Sequence, residues 1–110
     1  MEGKELRIGN YVNHNGFAPI TIDAVDIIHC QQHPEAYKPI ELTEEWLLKL
    51  GFNKSKFSSN CFKITNGYKF DFAGGEVLYL DSIRLEHIKY IHQLQNLHFA
   101  LGGEELTIKS

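Results

Sequence analysis

The chain has 110 residues, of which 43% are hydrophobic and 23% charged, with a formal net charge of −3. This length and composition are typical of one compact globular domain, here residues 1–110. The acidic balance argues against a nucleic-acid-binding protein, because such proteins rely on Lys and Arg at phosphates. No apolar run approaches the roughly 18 residues of a membrane span, and the N-terminus lacks a secretory pattern. We therefore expect a cytoplasmic protein in which Cys30 and Cys61 are reduced.

The N-terminal third reads as two strands. Residues 6–12 (LRIGNYV) predict a first strand, with Gly9 as a possible bulge. Residues 13–16 (NHNG) predict a turn, because Asn-Gly is a strong hairpin signal. Apolar residues then recur through residues 17–30, which predicts a long strand with one change of phase near Ala24. Residues 31–39 (QQHPEAYKP) predict a loop.

A short helix is predicted after this loop. Thr43 is a good N-cap, and Glu44 and Glu45 lie in the first turn, where the helix dipole favours negative charge. Leu42 and Leu47 have the spacing of a hydrophobic staple, and Gly51 is a natural left-handed residue after the last turn. Trp46, Leu47 and Leu50 form the apolar face of this helix of about two turns.

The second half predicts an antiparallel meander followed by a longer helix. The strands are residues 61–65, 68–72 and 76–80, with turns at Asn66-Gly67 and Gly74-Gly75. The helix covers roughly residues 86–101 and ends at Gly102-Gly103, and residues 104–108 (EELTI) are a candidate edge strand. The expected fold is α+β: a bent antiparallel sheet or partial β-barrel, with one short inserted helix and one longer C-terminal helix packed across it.

The most unusual segment is residues 90–103 (YIHQLQNLHFALGG), which contains no Asp, Glu, Lys or Arg. A surface helix normally carries charge on its outer face, so this helix is expected to be covered on more than one side. On a helical wheel, Tyr90, Leu94, Leu97 and Leu101 form the core-facing stripe. The opposite side predicts a ligand-binding wall or subunit interface. The purely structural alternative is that its polar side chains hydrogen-bond the backbone of enclosing segments. The candidate site residues are His92, Gln95, Asn96 and Phe99.

Metal and nucleophile motifs are weak. His29, Cys30 and His33 are ligand types close in sequence, but a structural zinc site needs four ligands in paired spacing. His92 and His98 are six residues apart, so on a helix they point away from each other. The chain has neither a G-x-S-x-G motif nor a P-loop. We therefore predict no metal, no cofactor and no catalytic residue.

Three segments together resemble a group of small uncharacterised proteins of phages and integrated mobile elements of gut-type anaerobic bacteria. They are residues 6–12, residues 39–52, and residues 89–101 running into residues 103–106. The resemblance implies a shared fold and the context of an accessory gene, and it supplies no catalytic residues. Small phage accessory proteins of this kind often bind host proteins or sequester a nucleotide signal used in host defence.

Three functions remain open from the sequence. The favoured one is a non-enzymatic binding module, a homo-oligomer of counter-defence type, which sequesters a small polar, nucleotide-like ligand or occludes a host protein. The second is a small hydrolase acting on a nucleotide or phosphodiester, with His92 or His98 as general base, since a neutral imidazole suits that role. The third is a structural partner in a larger phage assembly. Nucleic acid and membrane are not expected partners.

Overall fold

The computed structural model describes residues 6–14, 19–56, 60–73 and 77–108. These residues contain two antiparallel sheets, three α-helices and a short 3-10 helix (Pro34–Ala36), which confirms the predicted α+β class, and neither sheet closes into a barrel within them. The strand orders are β2-β1-β3 and β4-β5-β6-β7-β8. The elements are β1 (Tyr11–His14), β2 (Pro19–Thr21), α1 (Ala24–Gln32), β3 (Tyr37–Lys38), α2 (Glu44–Lys49), β4 (Asn53–Lys54), β5 (Cys61–Thr65), β6 (Tyr68–Ala73), β7 (Val77–Leu80), β8 (Ile83–Leu85) and α3 (Ile91–Gly102).

The first strand begins later than predicted. Residues 6–10 form a turn instead, in which Gly9 has a φ of +98°. The Asn10 side chain accepts a hydrogen bond from the backbone N–H of Arg7 at 2.7 Å. Gly9 N–H donates to Ile22 O at 2.9 Å, and Asn10 O accepts from Ile22 N–H at 2.8 Å, so two residues oppose one, as in the predicted bulge at Gly9. Regular strand pairing of β1 starts at Tyr11. The predicted turn at residues 13–16 is wrong for Asn13 and His14, which lie in β1, and its Asn15-Gly16 part lies outside the described residues.

The predicted long strand over residues 17–30 is wrong beyond Thr21. Its first two residues lie outside the described residues, β2 covers the next three, and α1 occupies most of the rest. Asp23 and Asp26 form a reciprocal capping box that starts this helix. The apolar residues that suggested alternation divide differently on a helix: Cys30 is buried, whereas Val25 and Ile28 are mostly exposed. The capping signal outweighed the apparent alternation.

The predicted helix α2 is confirmed in its details. The Thr43 hydroxyl accepts a hydrogen bond from the backbone N–H of Trp46, and Gly51 has a φ of +93°. Leu47 and Leu50 are fully buried. Trp46 is half-buried and packs against Tyr11, with ring centroids 5.7 Å apart.

The predicted meander is confirmed as the centre of a five-stranded sheet. The β5–β6 turn has positive φ at Asn66 and Gly67, and the β7–β8 turn has positive φ at Asp81 and Ser82, as a two-residue hairpin of type I′ requires. Phe70 and Phe72 on β6 face the core. The predicted Gly74-Gly75 turn lies outside the described residues.

The C-terminal helix starts five residues later than predicted, at Ile91, because residues 83–85 form β8 and Tyr90 makes a bridge with Glu41. Its end is as predicted: Gly103 takes the left-handed conformation with a φ of +70°. The predicted edge strand over residues 104–108 is wrong. Side chains, not a neighbouring strand, bond this segment: Gln95 Nε2 donates to Leu106 O, and Tyr11 Oη accepts from Ile108 N.

The apolar residues form two clusters. The larger lies between the five-stranded sheet and helices α2 and α3, and includes Leu47, Phe70 and Leu94. The smaller lies between the three-stranded sheet and α1. Cys61 belongs to the first and Cys30 to the second, and both are buried and outside any disulfide. Among the described residues, each helix is too short or too polar to cross a membrane.

Candidate functional site

The predicted site residue Gln95 is a structural centre of the fold. It is fully buried in α3. Its Oε1 accepts a hydrogen bond from the backbone N–H of Tyr11 at 2.8 Å, and its Nε2 donates to Gly9 O and Leu106 O, both at 3.0 Å. One side chain therefore ties together the N-terminal segment, α3 and the C-terminal segment. The hydrogen bonds of Gln95 are those of the structural alternative, in which polar side chains of α3 bond the backbone of enclosing segments.

Asn96 and Phe99 both contact Arg7. The Arg7 guanidinium donates to Asn96 Oδ1 at 3.1 Å and lies over the Phe99 ring, 4.3 Å from its centroid. It also makes a two-pronged ion pair with Glu105, at 2.6 Å and 3.0 Å. Asn10 Nδ2 donates to the same Asn96 oxygen at 2.9 Å. The polar side of α3 is thus covered by the two terminal segments of the same chain.

The two histidines of α3 are buried as well, so this helix is covered on more than one side, as its lack of charge predicts. His98 bonds Thr65 Oγ1 through Nε2 at 3.0 Å and Glu104 O through Nδ1 at 2.9 Å. His92 stacks on Tyr90, with ring centroids 6.0 Å apart. The structure brings Asn96 and Phe99 together at Arg7, and it places His92 in a different environment beside Tyr90. That these residues bind a ligand or partner stays a prediction.

A surface that the sequence reasoning missed lies on the face of the five-stranded sheet opposite the core. The β5–β6–β7–β8 register aligns Phe62, Asp71, Tyr79 and Arg84 directly across four strands. Side chains alternate along a strand, so these four share one face, while Phe70, Phe72 and Leu78 point into the core. Lys69, two residues before Asp71, shares the face too. We call this surface the outer sheet face.

The outer sheet face carries a recess of about 600 Å³, within the size range of small-molecule sites. A smaller hollow of about 280 Å³ adjoins it, and the two share Lys69 and Asp71. The recess is lined by Lys69, Asp71, Ala73, Tyr79, Asp81 and Ser82. The hollow is lined by Ser55, Asn60, Phe62, Ile64, Lys69 and Asp71.

The polar groups of the recess differ in how they are held. Asp81 is fixed, because its Oδ1 accepts the backbone N–H of Lys69 at 2.8 Å and its own N–H donates back to Lys69 O. The Lys69 ammonium lies 5.8 Å from the centroid of the Phe62 ring. Asp71 Oδ1 is buried, and no described residue donates a hydrogen bond to it. Burial without a donor is costly for a carboxylate oxygen, which makes Asp71 an unusual residue on this face.

The sequence pattern predicts only part of the outer sheet face. The alternation of residues 68–72 (YKFDF) already places Lys69 and Asp71 on one face. It does not connect them to Tyr79, whose alignment with Asp71 depends on the register of a second hairpin. Alternation within one strand does not specify that register.

The comparisons with known proteins add no assignment. No family model matches the chain, and neither curated proteins nor solved structures yield a match. Within the described residues, no group of three or more His, Cys, Asp or Glu side chains is arranged to hold a metal ion.

Proposed function

We propose that this protein is a non-enzymatic binding module that holds a small polar, nucleotide-like ligand in the recess of the outer sheet face. The observation that carries the proposal is the Asp71 side chain, which lines both the recess and the adjoining hollow and whose buried Oδ1 accepts no hydrogen bond from a described residue. A ligand hydroxyl or amine in the recess would donate to this carboxylate. The proposal moves the binding site away from the polar side of α3.

The spacing of three side chains supports a nucleotide-like ligand. Asp71 and Tyr79 are directly paired on neighbouring strands, which places their Cβ atoms about 5 Å apart. Lys69 lies about 7 Å along the same strand from Asp71. A planar base can stack on the Tyr79 ring, ribose hydroxyls can donate to Asp71, and an anionic phosphate can pair with Lys69. Three different groups within this span match the three parts of a nucleotide.

The alternative function, a hydrolase, was predicted to use His92 or His98 as general base, and both side chains are buried. His98 uses both ring nitrogens for hydrogen bonds inside the fold, and His92 is 98% shielded from solvent, with only 2% of its surface exposed. A general base must reach the proton that it removes within hydrogen-bond distance of the substrate. Buried imidazoles in α3 do not meet that requirement in this conformation. This weighs in favour of binding over hydrolysis.

The counter-defence role and the homo-oligomer belong to the proposal through the resemblance to mobile-element proteins. A small protein without catalysis acts in such a context by holding a ligand or covering a partner. The recess favours the first of these, because it is concave and contains both a cation and carboxylates.

The first experiment is native mass spectrometry of the protein purified from cells, followed by denaturation and analysis of released small molecules. Release of a nucleotide-like compound supports the proposal, and the native mass gives the subunit number. If nothing is released, titration calorimetry against a nucleotide panel follows, with Asp71→Asn and Tyr79→Ala as site variants and the exposed Lys38→Ala in β3 as the matched control. Binding that survives both site variants would contradict the proposal.

A further inference from the structure

A second cluster of chemically active side chains lies outside the recess, where α1 meets the three-stranded sheet. The Tyr37 ring at its centre is buried. The His14 ring stacks on it at 4.5 Å, and the His29 ring meets it edge-on at 5.5 Å. The His33 ring lies 4.9 Å from that of His29. None of these groups takes part in the proposed ligand recess.

Hydrogen bonding around Tyr37 fixes which nitrogen of His29 carries a proton. The Tyr37 hydroxyl donates to Asp26 Oδ1 at 3.2 Å, and His29 Nδ1 lies 2.9 Å from the same hydroxyl oxygen. Asp26 also accepts from the backbone N–H of Asp23 through Oδ2, so both carboxylate oxygens act as acceptors. A hydroxyl has a single proton, which here goes to Asp26. His29 Nδ1 must therefore be the donor to Tyr37, and in the neutral ring the lone pair is on Nε2.

The contacts around Tyr37 connect His29 through the Tyr37 hydroxyl to Asp26 in one chain of donors. Metal-binding histidines commonly have this support: the ring N–H is bonded to a second group, which orients the other nitrogen toward the ion.

His29 and His33 have the spacing of a helical metal-binding pair. Residues four apart lie on the same side of a helix, and His33 directly follows the last residue of α1. A zinc ion binds imidazole nitrogen at ~2.0–2.1 Å, so two rings around one ion at a tetrahedral angle have centres about 5 Å apart. The observed centroid separation is 4.9 Å. Glu35 Oε1, 3.7 Å from His33 Nδ1, adds negative charge beside the pair.

We propose that His29 and His33 form a two-histidine site for a divalent transition-metal ion such as Zn²⁺ or Ni²⁺, with water completing the coordination. Imidazole suits these ions. Two protein ligands leave open positions, so the site differs from the closed four-ligand structural zinc sites and is reachable at the surface: the His33 side chain is 56% exposed. Tyr37 and Asp26 are positioning residues that hold the His29 ring and its tautomer.

The test is titration calorimetry of the full chain with Zn²⁺ alone, on the wild type and on His29→Ala, His33→Ala and Tyr37→Phe. The matched control is His87→Ala, which removes an exposed histidine elsewhere. We expect one ion per chain for wild type and control, and no detectable binding for either His→Ala variant. Tyr37→Phe should weaken binding on the order of tenfold, as loss of an outer-shell partner does. Binding retained by His33→Ala, which removes a side chain that is 56% exposed, would overturn the proposal.

A second readout does not involve metal. Nitrogen-15 NMR of the histidine rings distinguishes the Nδ1–H from the Nε2–H tautomer. We expect His29 to be the Nδ1–H tautomer in the metal-free protein and to lose this preference in Tyr37→Phe. Finding the Nε2–H tautomer in the wild type would contradict the orienting role of Tyr37 and Asp26, whatever the calorimetry gives.

Discussion

The side-chain amide of Gln95 takes the place of a neighbouring strand for Tyr11, accepting its backbone N–H at 2.8 Å in the fully buried interior. Replacing Gln95 with Ala removes the partner of three backbone groups at once. Each buried polar group left unpaired costs about 1–3 kcal/mol, so we expect a loss of about 3 kcal/mol or more in the free energy of unfolding. Urea denaturation measures it. Gln31→Ala on exposed α1 is the control and should change stability by less than about 0.5 kcal/mol. Equal effects of the two substitutions would refute this role of Gln95.

The ion pair between Arg7 and Glu105 should contribute more than an ordinary surface pair. The Arg7 side chain is 31% exposed and the Glu105 side chain 25% exposed, and two hydrogen bonds join the guanidinium to the carboxylate. A double-mutant cycle with Arg7→Ala and Glu105→Ala should give a coupling energy of about 1–2 kcal/mol, reduced in high salt.

The exposed helical pair Lys49 and Glu45 is the matched control for that cycle. Pairs of this kind on a helix typically give about 0.3–0.5 kcal/mol. If the coupling energy between Arg7 and Glu105 is no larger than the control value, the ion pair orients the two side chains but does not stabilise the fold more than a surface pair does.

Gly9 should tolerate a side chain less well than Gly103. Both have positive φ, +98° and +70°, so alanine strains the backbone at either position by about 1 kcal/mol or more. A Cβ at Gly9 would also lie 3.2 Å from Glu105 Oε2, whereas one at Gly103 meets no atom within 4 Å. We therefore expect Gly9→Ala to lower the melting temperature further than Gly103→Ala. The reverse order would mean that Glu105 moves aside freely.

Deprotonation of Tyr37 should lower the free energy of unfolding at alkaline pH. Burial, followed by the negative charge of Asp26 and the hydrogen bond to it, raises the pKa of Tyr37 from its ordinary value of 10.0 to about 12, so the folded state holds the proton more tightly than the unfolded state. The resulting stabilisation is complete below pH 10 and is lost as pH rises from 10 toward 12. Tyrosinate absorbance at 295 nm should show one late-titrating group that is missing in Tyr37→Phe. If Tyr37→Phe had the same alkaline titration as the wild type, this account would fail.

Short-range signals account for the parts of the fold that were predicted well. Thr43, the two glutamates after it and Gly51 define α2, because capping acts within one helical turn. The alternation of residues 68–72 and the Asn66-Gly67 turn define the β5–β6 hairpin for the same reason. By contrast, residues 23–32 carry both an alternating pattern, which predicts a strand, and a capping box, and the structure follows the capping box.

The amino-acid sequence by itself determined the α+β class, α2, the central hairpin and the fact that the uncharged segment of α3 is covered. Only the tertiary structure decided what covers it. Arg7 is 98 positions from Glu105 along the chain, and their pairing arises from packing of the two terminal segments over α3. The alignment of Asp71 with Tyr79 and the meeting of His29 with Tyr37 and Asp26 likewise come from register and packing. Periodicity reports which face a residue occupies, and contacts between distant residues depend on the global fold.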